Sequence, residues 1–266
     1  MNMFWRCELL SKVHVLRLPG QIGKTDMALG VAVVIDVLRA TSSIVTALSS
    51  GSTGIIPAAN REEALKLRES YPDSLLCGEE QSKIIPGFDL GNSPRDFTPE
   101  NVQGKKLILT TSNGTKAILG AKAQGASAVF MCSFLNIDAV AKAVACEASR
   151  GDAPHDEASR KEKGVFVICS GSHGEFSLED FVCAGALADR LANKGLALEE
   201  SATEARHAYF QYRDDILQAL HDSQHGKYLE AIGYGADLPY CARVSVTSIV
   251  PYLADHVIQE YAAAGH

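Results

Sequence analysis

VAVVIDVLRATSSIVTALSS, residues 31–50, decides the fold. Val31 to Ile35 are small or β-branched with no alternation, the pattern of a strand buried on both faces, and Asp36 closes the run. Thr41, Ser42 and Ser43 then precede the apolar positions Ile44, Val45, Ala47 and Leu48, so hydroxyls stand where the orphan N–H groups of a helix N-terminus need acceptors. Arg39 lies between the two. A carboxylate, a guanidinium and a helix N-terminus at one strand tip suit a metal-bridged anion. The plainer alternative is that Asp36 and Arg39 pair with each other while Ser42 caps the helix.

Outward from this unit the chain repeats its design. Strands are expected at 13–18, 55–58, 74–77, 107–109, 127–133 and 165–169, with a last one at 242–250 from its Val-x-Val alternation. Helices are expected over REEALKLRES (61–70), from Lys116 onward, over IDAVAKAVACEA (137–148), after a capping box of Ser177 and Asp180, continuously over 201–220, and around 228–232. The alternation predicts an α/β fold of three layers, α/β/α, around a mostly parallel or mixed central sheet. Residues 13–251 form one domain, and the charged run at 149–164 allows two similar lobes, 13–150 and 164–251; residues 1–12 are an N-terminal extension.

Composition narrows the function. The chain has 266 residues, 46% of them apolar, and a net charge of -7, with no basic stripe interleaved with aromatics, so neither nucleic acid nor an anionic membrane is an expected partner. No apolar run reaches the ~18 residues of a membrane span, and MNMFWRCELLSKVHV lacks a signal-peptide core and cleavage site, which together predict a cytoplasmic protein. A homo-oligomer is compatible with this reading. The seven cysteines show no zinc-type spacing and read as buried free thiols.

Three strand tips carry the chemistry. The segment GEEQSKIIPGFDLGNSPRDFTP (78–99) is an unusually long aperiodic loop with Glu79, Glu80, Asp89, Asn92 and Ser93, enough oxygen ligands for a hard cation such as Mg²⁺. TTSNGT (110–115) opens a helix with hydroxyls, Asn113 and Gly114, a nest for an anion, and SGSHGEF (170–176) is a glycine-rich third tip. In an open α/β sheet such tips gather in one crevice with Asp36 and Arg39.

Known chemistries are tested against these residues. Gly23, Lys24 and Thr25 match the end of a P-loop, but Leu18 stands where its first glycine belongs and a strand follows. Cys169 sits at a strand end as in thiolate phosphatases, yet position 175 is Glu rather than Arg. The second Asp of haloacid-dehalogenase phosphatases is replaced by Leu38, and no nucleophile elbow occurs. His221 and His225, four apart, are a weak metal pair at a helix end. What remains is metal-assisted attack on a phosphate ester in a carboxylate-rich crevice. A cofactor-independent racemase using paired thiols among Cys77, Cys132 and Cys169, and a non-catalytic anion-binding module, are the alternatives.

IDVLRATSSIVTAL, the GE…GFDLGNSP segment, LTTSNGT and the C-x-G-x-x-G-x-FSLED…CAGAL segment together, in this order over residues 13–251, resemble the 2-phosphosulfolactate phosphatase family. The resemblance implies an Mg²⁺-dependent hydrolysis of 2-phospho-3-sulfolactate to 3-sulfolactate and phosphate, a step of coenzyme M biosynthesis. It implies Asp36, Arg39 and Asp180 as catalytic residues, Asp36, Glu79 and Asp89 as metal ligands, and Asn92, Ser93, Ser112, Asn113, Gly114, Thr115 and Ser172 as the substrate's contacts. One departure stands out: Glu80 occupies a place where an arginine is expected, removing an anion contact.

Overall fold

The computed structural model describes residues 11–149 and 164–262. The strands are β1 (Lys12–Leu16), β2 (Val31–Ile35), β3 (Gly54–Ala58), β4 (Leu75–Glu80), β5 (Lys83–Ile84), β6 (Lys106–Thr110), β7 (Ala128–Cys132), β8 (Val165–Cys169), β9 (Ala197–Leu198), β10 (Pro251–Ala254) and β11 (Val257–Glu260). The helices are α1 (Ala40–Ser49), α2 (Arg61–Ser70), α3 (Pro99–Val102), α4 (Gly114–Ala123), α5 (Ile137–Ser149), α6 (Leu178–Ala192), α7 (Glu200–Tyr212), α8 (Ile216–Asp222), α9 (Gln224–Ala231) and α10 (Asp237–Cys241).

All described strands join one sheet, ordered β5-β4-β6-β3-β11-β10-β7-β2-β8-β1-β9. β4, β6 and β3 are parallel, as are β7, β2, β8, β1 and β9. The antiparallel hairpin β10–β11 is inserted between these two groups, so β3 runs opposite to β7 after three reversals. The sheet is therefore mixed.

Burial explains the layers. Side chains of β2 alternate between two cores: Val31, Val33 and Ile35 pack with α5 and α6, while Ala32 and Val34 pack with α1 and α4. Leu107 and Leu109 of β6 join that second core, and Ile108 faces a third, smaller one with Ala64 of α2. The helices α1 and α4 thus cover the one face shared by both strand groups, and their N-termini meet there.

Three sequence expectations need correction. Residues 242–250 are not a strand: Ser245 N and Val246 N donate to the carbonyls of Phe134 and Leu135, and Val244 and Val246 stay exposed. The helix expected over 201–220 breaks at 213–215, where Asp215 Oδ1 accepts from Gln218 N at 3.1 Å and starts α8. The long loop begins later than Gly78, because β4 runs to Glu80 and turns back into β5. Gly78 fits there because its φ is 147° and a Cβ would lie 2.0 Å from the Thr110 carbonyl oxygen. The charged run taken as a lobe boundary lies, except for residues 149 and 164, outside the described residues, as does nearly all of the 1–12 extension. No described helix is long and apolar enough to cross a membrane.

Candidate active site

Asp36 leaves β2 and folds back onto the first turn of α1. Its Oδ1 accepts from Ala40 N at 3.0 Å, and its own N–H donates to Thr41 Oγ1 at 3.1 Å. Its Oδ2 accepts no hydrogen bond among the described residues and faces Gly114, where a Cβ would come within 2.7 Å of it. Gly114 is the first residue of α4, so two helix N-termini flank one carboxylate.

Asp180, in the first turn of α6, ties two tips together: Oδ1 accepts from Val37 N at 2.8 Å and Oδ2 from Gly171 N at 3.1 Å. The expected capping box with Ser177 does not form, because the Asp180 carboxylate is committed to these two N–H groups. Glu179 beside it is 1% exposed, and its Oε2 has no hydrogen-bond partner. Burying several carboxylates together raises their proton affinity. Burial pushes Asp36 up to about 7 against the pull of the Ala40 N–H, with Glu79 and Glu179 pushing the same way and Arg39 opposing. Burial also raises Asp180 far above the usual carboxylate range, reinforced by the charges of Glu179 and Asp36.

Glu79, near the end of β4, clamps the TSNGT tip. Its Oε1 accepts from Ser112 N at 2.7 Å, and its Oε2 from Ser82 N at 2.6 Å and from Ser112 Oγ at 3.2 Å. A cavity of about 860 Å³ opens beside it, bordered by Arg61, Glu79, Ser112, Asn113, Lys116 and Ser170. Ser170 N donates to the Ile35 carbonyl, which places this residue next to Asp36, and its buried Oγ has no partner. A second cavity of about 270 Å³ is bordered by Ser172, Glu179 and His225, and His173 borders both. His225 is held neutral, because burial pushes it down to about 4 with the Arg39 charge acting in the same direction, and its Nε2 lies 3.1 Å from Ser82 Oγ.

Matching the chain to known protein families then decides the class. A family model described as 2-phosphosulpholactate phosphatase matches residues 17–256, a span that contains all four motifs. The chain belongs to that family. Relatives named "Probable 2-phosphosulfolactate phosphatase" include one from Symbiobacterium thermophilum, 38% identical over 86% of this chain and 94% of the relative. One from Thermotoga petrophila is 37% identical over 85% and 90%, and one from Clostridium acetobutylicum 37% over 83% and 88%. The chain is thus an enzyme, a phosphoric monoester hydrolase.

The structure brings some of the predicted residues of this phosphatase together and separates others. Asp36, Asp180, Glu79, Ser112, Asn113 and Gly114 cluster at the meeting of the tips, with Ser172 on the smaller cavity. Asp89 is elsewhere: its Oδ2 accepts from Leu76 N and pairs with Arg68 at 3.2 Å, which corrects its reading as a metal ligand. Arg39 pairs neither with Asp36 nor with open space. Its Nη1 meets Asp237 Oδ2 at 2.9 Å, its Nη2 donates to the Ser82 carbonyl at 2.6 Å, and its plane lies 4.3 Å from the Tyr234 ring centre. Ser93 Oγ donates to the same Asp237, and the Thr115 hydroxyl bonds within its own tip, so these three are fixed by the protein itself. Asn92 is also buried, its carbonyl accepting from Ser43 Oγ, though its side-chain Oδ1 has no partner.

Residues that the sequence reading did not assign to the site are Glu179, Ser170, His225, Arg61, Lys116 and Asp237. Of these only Glu179 carried a local signal, as an acid beside Asp180 at a tip. His221 and His225 do not pair: His221 Nδ1 faces Glu230 at 3.0 Å. Of the thiols a racemase would use, Cys77 lies in the core with α1 and α4, and Cys132 and Cys169 lie in the core on the opposite face. Burial raises the Cys77 and Cys169 thiols above their ordinary range, which makes both poor nucleophiles.

Among the described residues no three His, Cys, Asp or Glu side chains form a ready metal cage. Magnesium seldom needs one, since it is commonly held by one or two carboxylates with water and substrate phosphate. Asp36 Oδ2 and the unpartnered Glu179 Oε2 fit that demand; Glu79, already holding Ser82 and Ser112, fits it less well.

Proposed function

We propose that this chain hydrolyses the phosphate ester of 2-phospho-3-sulfolactate to 3-sulfolactate and phosphate, with Mg²⁺ as cofactor, at the Asp36 carboxylate. The observation that carries the reading is the buried group Asp36, Glu179 and Asp180, whose mutual repulsion stabilises any cation placed among them. The relatives' printed names supply the substrate.

Asp36 and Glu179 are the residues that would hold Mg²⁺, which when bound would supply positive charge against the phosphoryl oxygens. The protein's own groups do the rest. Ser112, Asn113, Ser170 and the N-terminus of α4 surround the phosphate, supplying hydroxyls and a positive dipole end. Asp180 keeps the 37–38 and 170–171 backbones in place, and Glu79 keeps the TSNGT tip at a fixed distance from the 79–82 turn. Arg39 acts as a positioning residue whose charge also lowers the Asp36 proton affinity.

The test is phosphate release from a panel of small phosphorylated hydroxy acids, with and without a sulfonate, in Mg²⁺ and in chelator. Release from 2-phospho-3-sulfolactate that stops on chelation is the result expected. Full activity after exhaustive chelation removes the metal from the account.

A further inference from the structure

The substrate proposed above carries a carboxylate and a sulfonate besides its phosphate, and the cation that family resemblance expects at position 80 is a glutamate. Two other cations face the same cavity. Arg61 is the first residue of α2 and Lys116 the third of α4; both are exposed, and neither forms an ion pair among the described residues. The other charged groups bordering the cavity are Glu62, Glu79 and Glu80. Glu79 is spent on Ser82 and Ser112, which leaves Glu62 and Glu80 as the acids opposing an incoming anion. At the floor stands Ser170, 1% exposed, with an unpartnered hydroxyl beside the Asp36 strand end. The cavity therefore runs from a buried, uncommitted donor next to the reactive carboxylate out to two unpaired cations.

We infer that Arg61 and Lys116 form the subsite for the non-reacting acidic groups of the substrate, and that they set the enzyme's preference for dianionic-tailed phosphate esters over plain ones. The inference rests on the phosphatase reading for the substrate's chemistry, and on the cavity for the residues. A guanidinium fork and an ammonium each suit an oxyanion, and neither is needed for the chemistry at the ester bond. Binding energy from such remote groups appears mainly in KM when it is equal in ground and transition states.

The experiment compares wild type with Arg61→Gln, Lys116→Gln and the double variant, on 2-phospho-3-sulfolactate and on p-nitrophenyl phosphate. For the double variant KM should rise at least tenfold more for the sulfolactate ester than for p-nitrophenyl phosphate, with kcat on the sulfolactate ester within about threefold. Glu80→Gln should lower the KM of the sulfolactate ester. Equal losses on both esters, or no loss on either, overturn the subsite. Calorimetric titration with 3-sulfolactate separates this from the phosphatase reading: a wild type that binds it and a double variant that does not support the subsite even where no phosphate is released, and a wild type that does not bind it overturns the subsite.

Discussion

Gly114 and Asp36, from opposite strand groups of the sheet, touch so closely that a Cβ on the glycine would sit 2.7 Å from Asp36 Oδ2 and 2.5 Å from Ala40 Cβ. Neither neighbour is a flexible chain end, since Ala40 belongs to α1 and Asp36 accepts from the Ala40 N–H. Gly114→Ala should therefore push the α4 N-terminus away from Asp36. Overpacking of this kind costs about 1–3 kcal/mol. The kcat should fall at least tenfold with the fold retained, read by steady-state kinetics beside circular dichroism; a Gly114→Ala enzyme of normal rate would mean that this contact does not set the site.

The Arg39–Asp237 pair is almost fully buried, and it ties α10 and the 82–93 segment to the tip of α1. Removing one partner leaves the other charge buried and unpaired, which costs about 3–5 kcal/mol. Arg39→Met and Asp237→Leu should each lower the melting temperature sharply, and the double variant should recover much of the loss. Additive losses in a double-mutant cycle would show that the two residues do not act as a pair.

The pH dependence of stability in chelator follows from two groups of opposite sign. Asp36 is raised from 3.8 to about 7, so the folded state holds the extra proton and this contribution is lost as pH rises from about 3.8 through 7. His225 is lowered from 6.5 to about 4, so the unfolded state holds the extra proton and stability is lost as pH falls from about 6.5 toward 4. Each effect is on the order of a few kcal/mol. Denaturant unfolding across pH 4–9 should show Asp36→Asn removing a fall in stability between about pH 4 and 7, and His225→Gln removing an opposing rise between about pH 4 and 6.5; profiles unchanged in both variants would refute the assignment.

Much of this was legible in the sequence, for physical reasons. A run such as Val31–Ile35 can only be satisfied in a doubly covered strand, and all five residues are buried. Asp36 and Asp180 were readable because tips at strand ends are local patterns. The partner of Arg39 was not, since Asp237 lies 198 residues away and nothing near either residue encodes the meeting. The Val-x-Val at 244–246 misled because alternation reports a half-exposed extended chain, whether or not a neighbouring strand is there to pair with it. The β10–β11 insertion was equally hidden: strand order depends on contacts between distant segments, and it decides how the tips converge.

The most direct measurement of the central claim is phosphate release from 2-phospho-3-sulfolactate by wild type and Asp36→Asn, in Mg²⁺, with the melting temperature of each recorded beside the kinetics. Asparagine keeps the shape, and it can keep the Ala40 N–H bond while removing a charge that its buried acidic neighbours oppose. The account predicts a kcat/KM lower by at least about a hundredfold, as for a group acting on transition-state charge, with a melting temperature equal to or above the parent's. A well-folded Asp36→Asn enzyme within tenfold of the wild type would contradict it.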